Sequence, residues 1–586
     1  MANVRSAIAV TIAAVVLLVA AAPAGARVSL VLLPQGTSVE EVAAAGMSPG
    51  LMSAGLGLVP AEQTYLDIGQ GNRVFDSLYD SDLPPAAVPL DRPVTDAAVL
   101  RRAESAPAEI VPGLLAKTLA RAGRSFEVRT ASVPRLRSLV AGLRGNDLLI
   151  AIERPPPAKD RGLAIGLAGA GYDGNLTSDS TRLDGYVLAT DVAPTILERL
   201  GMGVPSQMSG EPIRAEGEAD PAAVVALGER MAVVADRRGP VIGLSLLAWV
   251  LVLGLTAGLA GAAGARVAIR VVGLAVVYVP LVLLVGAALE PGETLEMLLV
   301  MLGAPALAAA TLALLGGYRA LAIGSALTVL ACALDMIVGS PLTALSLMGP
   351  NPGLGARFYG IGNELEAPLA VLTVAGTGAA LTGFAPRLAP RAAAAVFVAV
   401  GVCAAIVFAA GRFGADVGAA IVMPVGAAAA AAAIAARRRR AALLVVAVPF
   451  AALALLALGD LLSGANAHLT RSVLDAGGLG DLGDVAERRL RLSASSLQRP
   501  LSFVFLPLVA LLVALAAVRR DRLRAWLQPH PPMRAGLIGA AIATAVGALA
   551  NDSGALVAEI GAAYLLVFVG FAWAESGCAG EGEAGR

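Results

Sequence analysis

This chain has almost no histidine, lysine or cysteine and little charge. Three cysteines, Cys332, Cys403 and Cys578, lie far apart in or beside apolar stretches, which excludes a disulfide framework, a thiolate metal site and redox chemistry. Two histidines, His468 and His530, and two lysines, Lys117 and Lys159, leave arginine as nearly every positive charge. The 44 basic residues are balanced by 44 acidic ones, so the basic excess of a chain that wraps nucleic acid is missing. Only 15 % of residues are charged, against 57 % hydrophobic and a mean hydropathy of +0.75. At 586 residues the chain is too long for one soluble domain and too apolar for several, so most of it belongs in lipid.

Residues 1–26 carry Arg5, an apolar run from Ala7 to Ala22, and then Ala24, Gly25 and Ala26. That is the order of a secretory signal; the run also suits an uncleaved anchor, and both readings export the segment from residue 27 onward. From Val241 onward, apolar stretches of roughly 18 to 24 residues recur, each able to cross ~30 Å of hydrocarbon as a helix. About eleven are expected, at 241–264, 267–288, 294–316, 319–339, 362–384, 391–410, 415–436, 441–462, 501–518, 535–550 and 554–574. Their alanine and glycine content suits close helix packing.

Arginine placement sets the expected orientation. With residues 27–240 outside, the inner connections hold Arg266, Arg270, Arg319, Arg387, Arg391, the run Arg437 to Arg440, and Arg519, Arg520, Arg522, Arg524 and Arg534, and the tail 575–586 is cytoplasmic. The expected outer loop 463–500 breaks the rule with Arg471, Arg488, Arg489, Arg491 and Arg499. Two readings stay open for it. One is an amphipathic helix on the membrane surface, its charge partly offset by Asp475, Asp481, Asp484 and Glu487. The other is a surface whose Arg488, Arg489 and Arg491 grip a phosphorylated or pyrophosphate-linked substrate bidentately.

Between residues 27 and 240, prolines, charges and turn signals return, and β-branched runs such as Val28 to Leu33 and Asp147 to Ile152 alternate with helix-like segments, an α/β pattern. The first strand ends in Leu33-Pro34-Gln35-Gly36 and leads to a helix over Val39 to Ala45; Thr64-Tyr65-Leu66 precedes the turn-rich Gly69 to Arg73. The segment Thr190-Asp191-Val192-Ala193-Pro194-Thr195 through Gly201, continuing to Met208-Ser209-Gly210, has Pro194 early in a helix and a glycine at its end.

That segment resembles the C-terminal part of sulfatase-like domains of the alkaline phosphatase superfamily, and the opening strand with Thr64 and Gly69 to Arg73 is similar to that family's first metal-ligand strand and nucleophile neighbourhood. Together these matches cover 27–215. The resemblance implies an alkaline-phosphatase-like α/β fold, with Thr64 as the relic of a nucleophile; the alternative is an ordinary turn threonine. Where the family places a metal-binding aspartate, this chain reads Pro34-Gln35-Gly36, and 27–240 contains no histidine. The expected domain is therefore a pseudo-hydrolase, with no metal and no cofactor. The hydroxyl-rich and carboxylate-rich stretch Gly171 to Arg182 reads either as the lining of a cleft for glycan hydroxyls or a cation, or as a surface loop.

Ionisable groups at membrane depth cost about 2.5–3.5 kcal/mol each and tend to pair or to line a cavity. Three clusters fall at expected outer mouths: Arg357 to Glu366, including Asn363 and Glu364; Gly411 to Asp416, including Arg412; and Asn551-Asp552-Ser553-Gly554, with Glu559 deeper. They read either as one outward-facing polar chamber or as helix caps, with Asp416 and Asp552 at N-cap positions and Arg357 neutralising Glu364. The segments 357–366 and 551–554 also resemble a group of bacterial polytopic membrane proteins with phosphatase-like exported domains.

The expected protein is a multi-pass plasma-membrane protein that handles a lipid-linked or cell-envelope substrate at its outer face, by transfer or transport, with the bilayer as partner and oligomeric state open. Glu364, Asp416 and Asp552 are the candidate acids or bases, and Arg357, Asn363, Arg412, Arg488, Arg489, Arg491 and Asn551 the candidate substrate contacts. A metal-dependent phosphohydrolase in the exported domain and a non-catalytic envelope scaffold are the alternatives.

Overall fold

The computed structural model describes residues 26–57, 59–84, 88–156, 162–435, 447, 451, 502–551 and 553–583, the side chains of 577–583 excepted. The expected span 441–462, the loop 463–500 with Arg488, Arg489 and Arg491, the leader, and Asp552 lie outside the described residues. The chain is 64 % helical and divides into two compact units. The first is an α/β unit up to Ala232, joined by Gly353–Phe358; the second is helical and holds Val233–Pro352 and Tyr359 onward.

In the α/β unit, β1 (Val28–Leu33) lies between β3 (Glu127–Thr130) and β4 (Leu148–Glu153), parallel to both, with Leu30 opposite Val128 and Ile150. A hairpin returns β5 (Gly162–Gly169) antiparallel to β4, and β5 pairs antiparallel with β2 (Ser48–Ser53), which pairs parallel with β7 (Tyr186–Leu188). The sheet order is β3-β1-β4-β5-β2-β7, and β6 (Asn175–Thr177) pairs separately with β8 (Arg214–Glu216). The central strands are continuous apolar runs because both faces are covered. Leu30, Ile150 and Ile165 pack on one side with Val187, Ile196 and Leu197, while Val31, Leu149 and Ala151 pack on the other with Val42 and Leu136.

Helix α1 (Val39–Ala44) starts at a capping box between Ser38 and Glu41. It lies so close to the sheet that a Cβ on Gly166 would come within 2.2 Å of Val42 Cγ1. Helix α2 (Ala61–Gln70) contains Thr64, Gly69 and Gln70, so part of the stretch expected as turn is helix; Gly71, at φ 63°, supplies the left-handed stop. Four further helices, α3 (Ala97–Glu104), α4 (Leu114–Arg121), α5 (Val133–Ala141) and α6 (Val192–Arg199), complete the unit before α7 (Pro221–Arg238).

Among the described residues, eight helices are long and apolar enough to cross a bilayer, nine if a bent pair counts as one more, and the protein is a multi-pass membrane protein. Helix α8 (Leu244–Leu289) takes in most of two expected spans, with a non-helical Gly261 near the end of the first. It is followed by α9 (Glu293–Leu315), α10 (Gly317–Ile337), the short α11 (Pro341–Leu345), α12 (Asn363–Phe384), α13 (Pro390–Ala409) and α14 (Val417–Ala435). After the undescribed stretch come α15 (Ser502–Val518), α16 (Arg520–Leu527), α17 (Pro531–Ala550) and α18 (Gly554–Glu583).

Two devices hold these helices together without hydrophobic drive from lipid. Small residues let backbones touch: a Cβ on Gly539 of α17 would lie 2.4 Å from Gly426 O of α14, and one on Gly378 of α12 would lie 2.8 Å from Pro532 O. One freed carbonyl is satisfied across helices. Pro280 removes the N–H that would bond Val276 O, and the Tyr564 hydroxyl donates to that oxygen at 3.1 Å.

Candidate functional site

The helical unit has two chemically distinct ends. At one, the polar mouth, meet the end of α7, the start of α9, the loop after α10, and the starts of α12 and α14. At the other, the arginine end, the Arg319 side chain donates to Gly383 O, Arg270 pairs with Glu575 at 2.8 Å, and the Tyr318 ring meets His530 edge-on at 4.8 Å.

The polar mouth is built around Glu366, a residue inside the first cluster but not among the candidates named from it. Glu366 is in the first turn of α12 and fully buried. The Asn551 side-chain amide, at the end of α17, donates to its Oε2 at 2.7 Å. Both side chains lie over Gly418 in the first turn of α14: a Cβ there would fall 2.4 Å from Asn551 Oδ1 and 2.9 Å from Glu366 Oε2. Asp416, itself buried, caps α14 by accepting the Gly418 N–H at 3.1 Å. Residues from α12, α14 and α17 thus converge on one carboxylate, which also feels the positive end of the α14 dipole. Pro368 in α12 removes the N–H that would bond the Glu364 carbonyl, leaving that oxygen without its helical donor.

Glu364 points elsewhere. Its Oε1 lies 3.4 Å from Arg238 Nη1, and Arg238 Nη2 donates to Gly349 O at 3.0 Å. Arg237 donates to Pro291 O and pairs at 3.3 Å with the buried Glu296. Asp335 accepts the N–H groups of Leu342 and Thr343 and so caps α11. The approach to α12 is fixed by Gly360, at φ 76°, whose N–H donates to Ser340 Oγ; Ile361 N–H donates to Gly414 O. A Cβ on Gly360 would fall 2.0 Å from that same oxygen.

Of the candidates, Asp416 and Asn551 are brought together, Asn363 is half-buried at the first position of α12, and Arg412 is exposed, its guanidinium 5.1 Å from the Phe413 ring centre. Arg357 belongs to the segment that groups with the α/β unit, and Glu364 pairs with Arg238. Arg238 and Glu296 were missed because each looks like an interfacial charge; their spacing from the ends of apolar runs was the available signal.

In the α/β unit, Thr64 is fully buried, its hydroxyl without a hydrogen-bond partner. Where the resemblance places a metal ligand, the Gln35 amide donates to Pro155 O, and Glu153 spends one oxygen on Gly36 N–H at 2.8 Å and the other on Ala164 N–H at 3.2 Å. This donor set does not fit a metal pair, and among the described residues no group of three or more His, Cys, Asp or Glu could hold a metal ion.

Asp191, in the family-like segment, is fully buried and accepts from Ser178 Oγ and Ser180 Oγ at 2.6 Å, Leu188 N–H at 2.9 Å and Glu211 N–H at 3.0 Å. Burial pushes its carboxyl up, against the pull of those donors. The hydroxyls of 171–182 thus serve mainly the interior; Tyr172 and Asp173 alone of that stretch line a cleft of about 510 Å³, with Glu40 and Ser48. Asp67 is buried too, accepting from Gln63 and Gln70, and burial raises its carboxyl to about 7. Residues 353–358 thread into this unit: Gly57 N–H donates to Leu354 O, and the buried Phe358 ring lies 5.7 Å from Tyr186 with the Arg73 guanidinium 5.4 Å from its centre.

Compared with protein-family models, with curated proteins and with solved structures, the chain matches none.

Proposed function

We propose that the helical unit handles a lipid-linked or other cell-envelope substrate, by transfer or by transport, at a polar mouth on the outer face of the plasma membrane. The observation that carries this reading is Glu366, a carboxylate buried at the start of a membrane span and reached by Asn551 from a helix 185 residues further along. Burying a carboxylate there is costly, and a group that served only as a surface cap would sit in water. The outward assignment rests on the arginines of the opposite end, by the positive-inside tendency. In a transferase Glu366 is the acid or base, with Arg238 and Arg412 as candidate grips for phosphate oxygens; in a transporter it binds a proton or cation.

The α/β unit is proposed as a degenerate member of the alkaline phosphatase superfamily that recognises or covers substrate. The closed positions of Glu153 and Thr64 favour a non-catalytic role.

The test is product formation by purified full-length protein in detergent, compared with uptake into sealed vesicles, using a pyrophosphate-linked lipid as probe. Product in detergent selects transfer; uptake in vesicles alone selects transport. Glu366→Gln is expected to lower whichever activity is found by roughly 10²–10⁴-fold, the range of a lost acid or base. Full activity in that variant would sink the proposal, and loss of phosphatase turnover in Thr64→Ala would instead favour a working hydrolase.

A further inference from the structure

The arginine end carries a surface that the proposed site does not use. Helix α15 is a bare apolar rod: Phe503, Val504, Val513 and Val518 are all 64 % or more exposed, as expected of side chains that meet acyl chains. Immediately after it the chain bends by 73° into α16. The sequence of α16, with its flanks, places Arg519, Arg520, Arg522 and Arg524 at exposed positions, and Arg534 is exposed on the first turn of α17. The opposite side of α16 is apolar, with Leu527 buried in the helical core and Leu523 and Trp526 half-buried. Asp521 is the one acidic residue between Arg519 and Arg534, and it pairs with Arg524 at 3.2 Å.

A bend of this size has two geometric meanings, a broken span or a helix lying along the surface. Continuing inward would drag four guanidiniums into hydrocarbon, where charged side chains are costly. Lying along the interface instead puts the arginines level with headgroups while Trp526 and the leucines stay on the apolar side. The arginine row also begins at the residue after the last apolar position of a lipid-facing helix, so the nearest anions are those of the same bilayer.

We propose that α16, with Arg519 and Arg534, is a docking surface for anionic phospholipid headgroups, whose phosphate oxygens the guanidiniums grip bidentately. The experiment uses delipidated full-length protein titrated with phosphatidylglycerol or phosphatidylcholine in mixed micelles, with bound lipid counted by native mass spectrometry. Wild type is expected to retain phosphatidylglycerol preferentially, and less so as salt is raised. The combined variant R519Q/R520Q/R522Q/R524Q should lose roughly fivefold in phosphatidylglycerol affinity per arginine removed, with phosphatidylcholine binding unchanged. The matching Arg→Lys variant, which keeps the charge but not the bidentate fork, should recover the purely electrostatic part of that affinity and guards against a folding defect. Equal retention of the two lipids by wild type, or an undiminished glutamine variant, overturns the proposal. So does tighter binding of soluble polyglutamate than of phosphatidylglycerol, which would assign the surface to an acidic protein.

Discussion

Both units bury carboxylates completely, but they satisfy them over very different distances along the chain. Every donor to Asp191 lies within 20 residues of it, so four hydrogen bonds close one local knot of strand, turn and loop. The described donor to Glu366 lies 185 residues away, on a separate helix. A saturated local knot has no spare capacity and acts as a structural part. A carboxylate shared between separate helices can change partner when a helix shifts, which is what a site that binds and releases must do.

The sharpest test of that contrast removes the knot. Asp191→Ala strands two hydroxyls and two N–H groups in the interior and is expected to cost about 4 kcal/mol, read as loss of the cooperative unfolding transition of the α/β unit. Glu366→Gln keeps an acceptor for Asn551 and should cost under about 1.5 kcal/mol while lowering activity by roughly 10²–10⁴-fold; equal destabilisation by the two variants would make the carboxylates the same kind of part.

The next effect is a pH dependence. Burial raises the Asp67 carboxyl from its ordinary 3.8 to about 7, more than the amides of Gln63 and Gln70 and the charges of Arg73 and Arg102 lower it. Below the ordinary value both states are protonated. As pH climbs from there towards 7, the unfolded chain ionises while the buried group keeps its proton, so stability falls through that window and levels off above it. Asp67→Asn should flatten the slope in a pH series of unfolding midpoints.

In the helical unit, Gly418→Ala must push a methyl into Asn551 and Glu366, and a cost of about 1–3 kcal/mol in detergent melting is expected. The smallest effect belongs to the surface of the α/β unit. Ser38→Ala removes one half of the capping box on α1 and should cost about 1 kcal/mol in the same unfolding assay.

Much of the architecture could be read ahead of the structure. The run Val28 to Leu33 is a strand with those bounds, the helix after Ser38 ends one residue short of Ala45, and the apolar stretches from 294 to 436 each match a helix to within a few residues. Composition and period carry this information because they are local. The site was legible only as a neighbourhood. Glu364 and Glu366 are two residues apart in one polar string, and nothing in that string says that one meets Arg238 while the other is buried against Asn551. Likewise Thr64 sits within a helix that a glycine-rich sequence disguised, and Phe358, flanked by arginine and tyrosine, gave no sign of packing with the α/β unit.

What the sequence determined by itself was the solvent for each stretch of chain: water for the mixed segment, hydrocarbon for the alanine-rich and leucine-rich runs, and the headgroup level for the arginines between them. Transfer free energy is a sum over residues, so it needs no fold to be evaluated. The tertiary structure decided which carboxylates are caps, which are knots and which is shared between helices. Helix rotation and packing depend on contacts between residues far apart in the chain, and a shift of two positions on a helix turns a side chain from one neighbour to another.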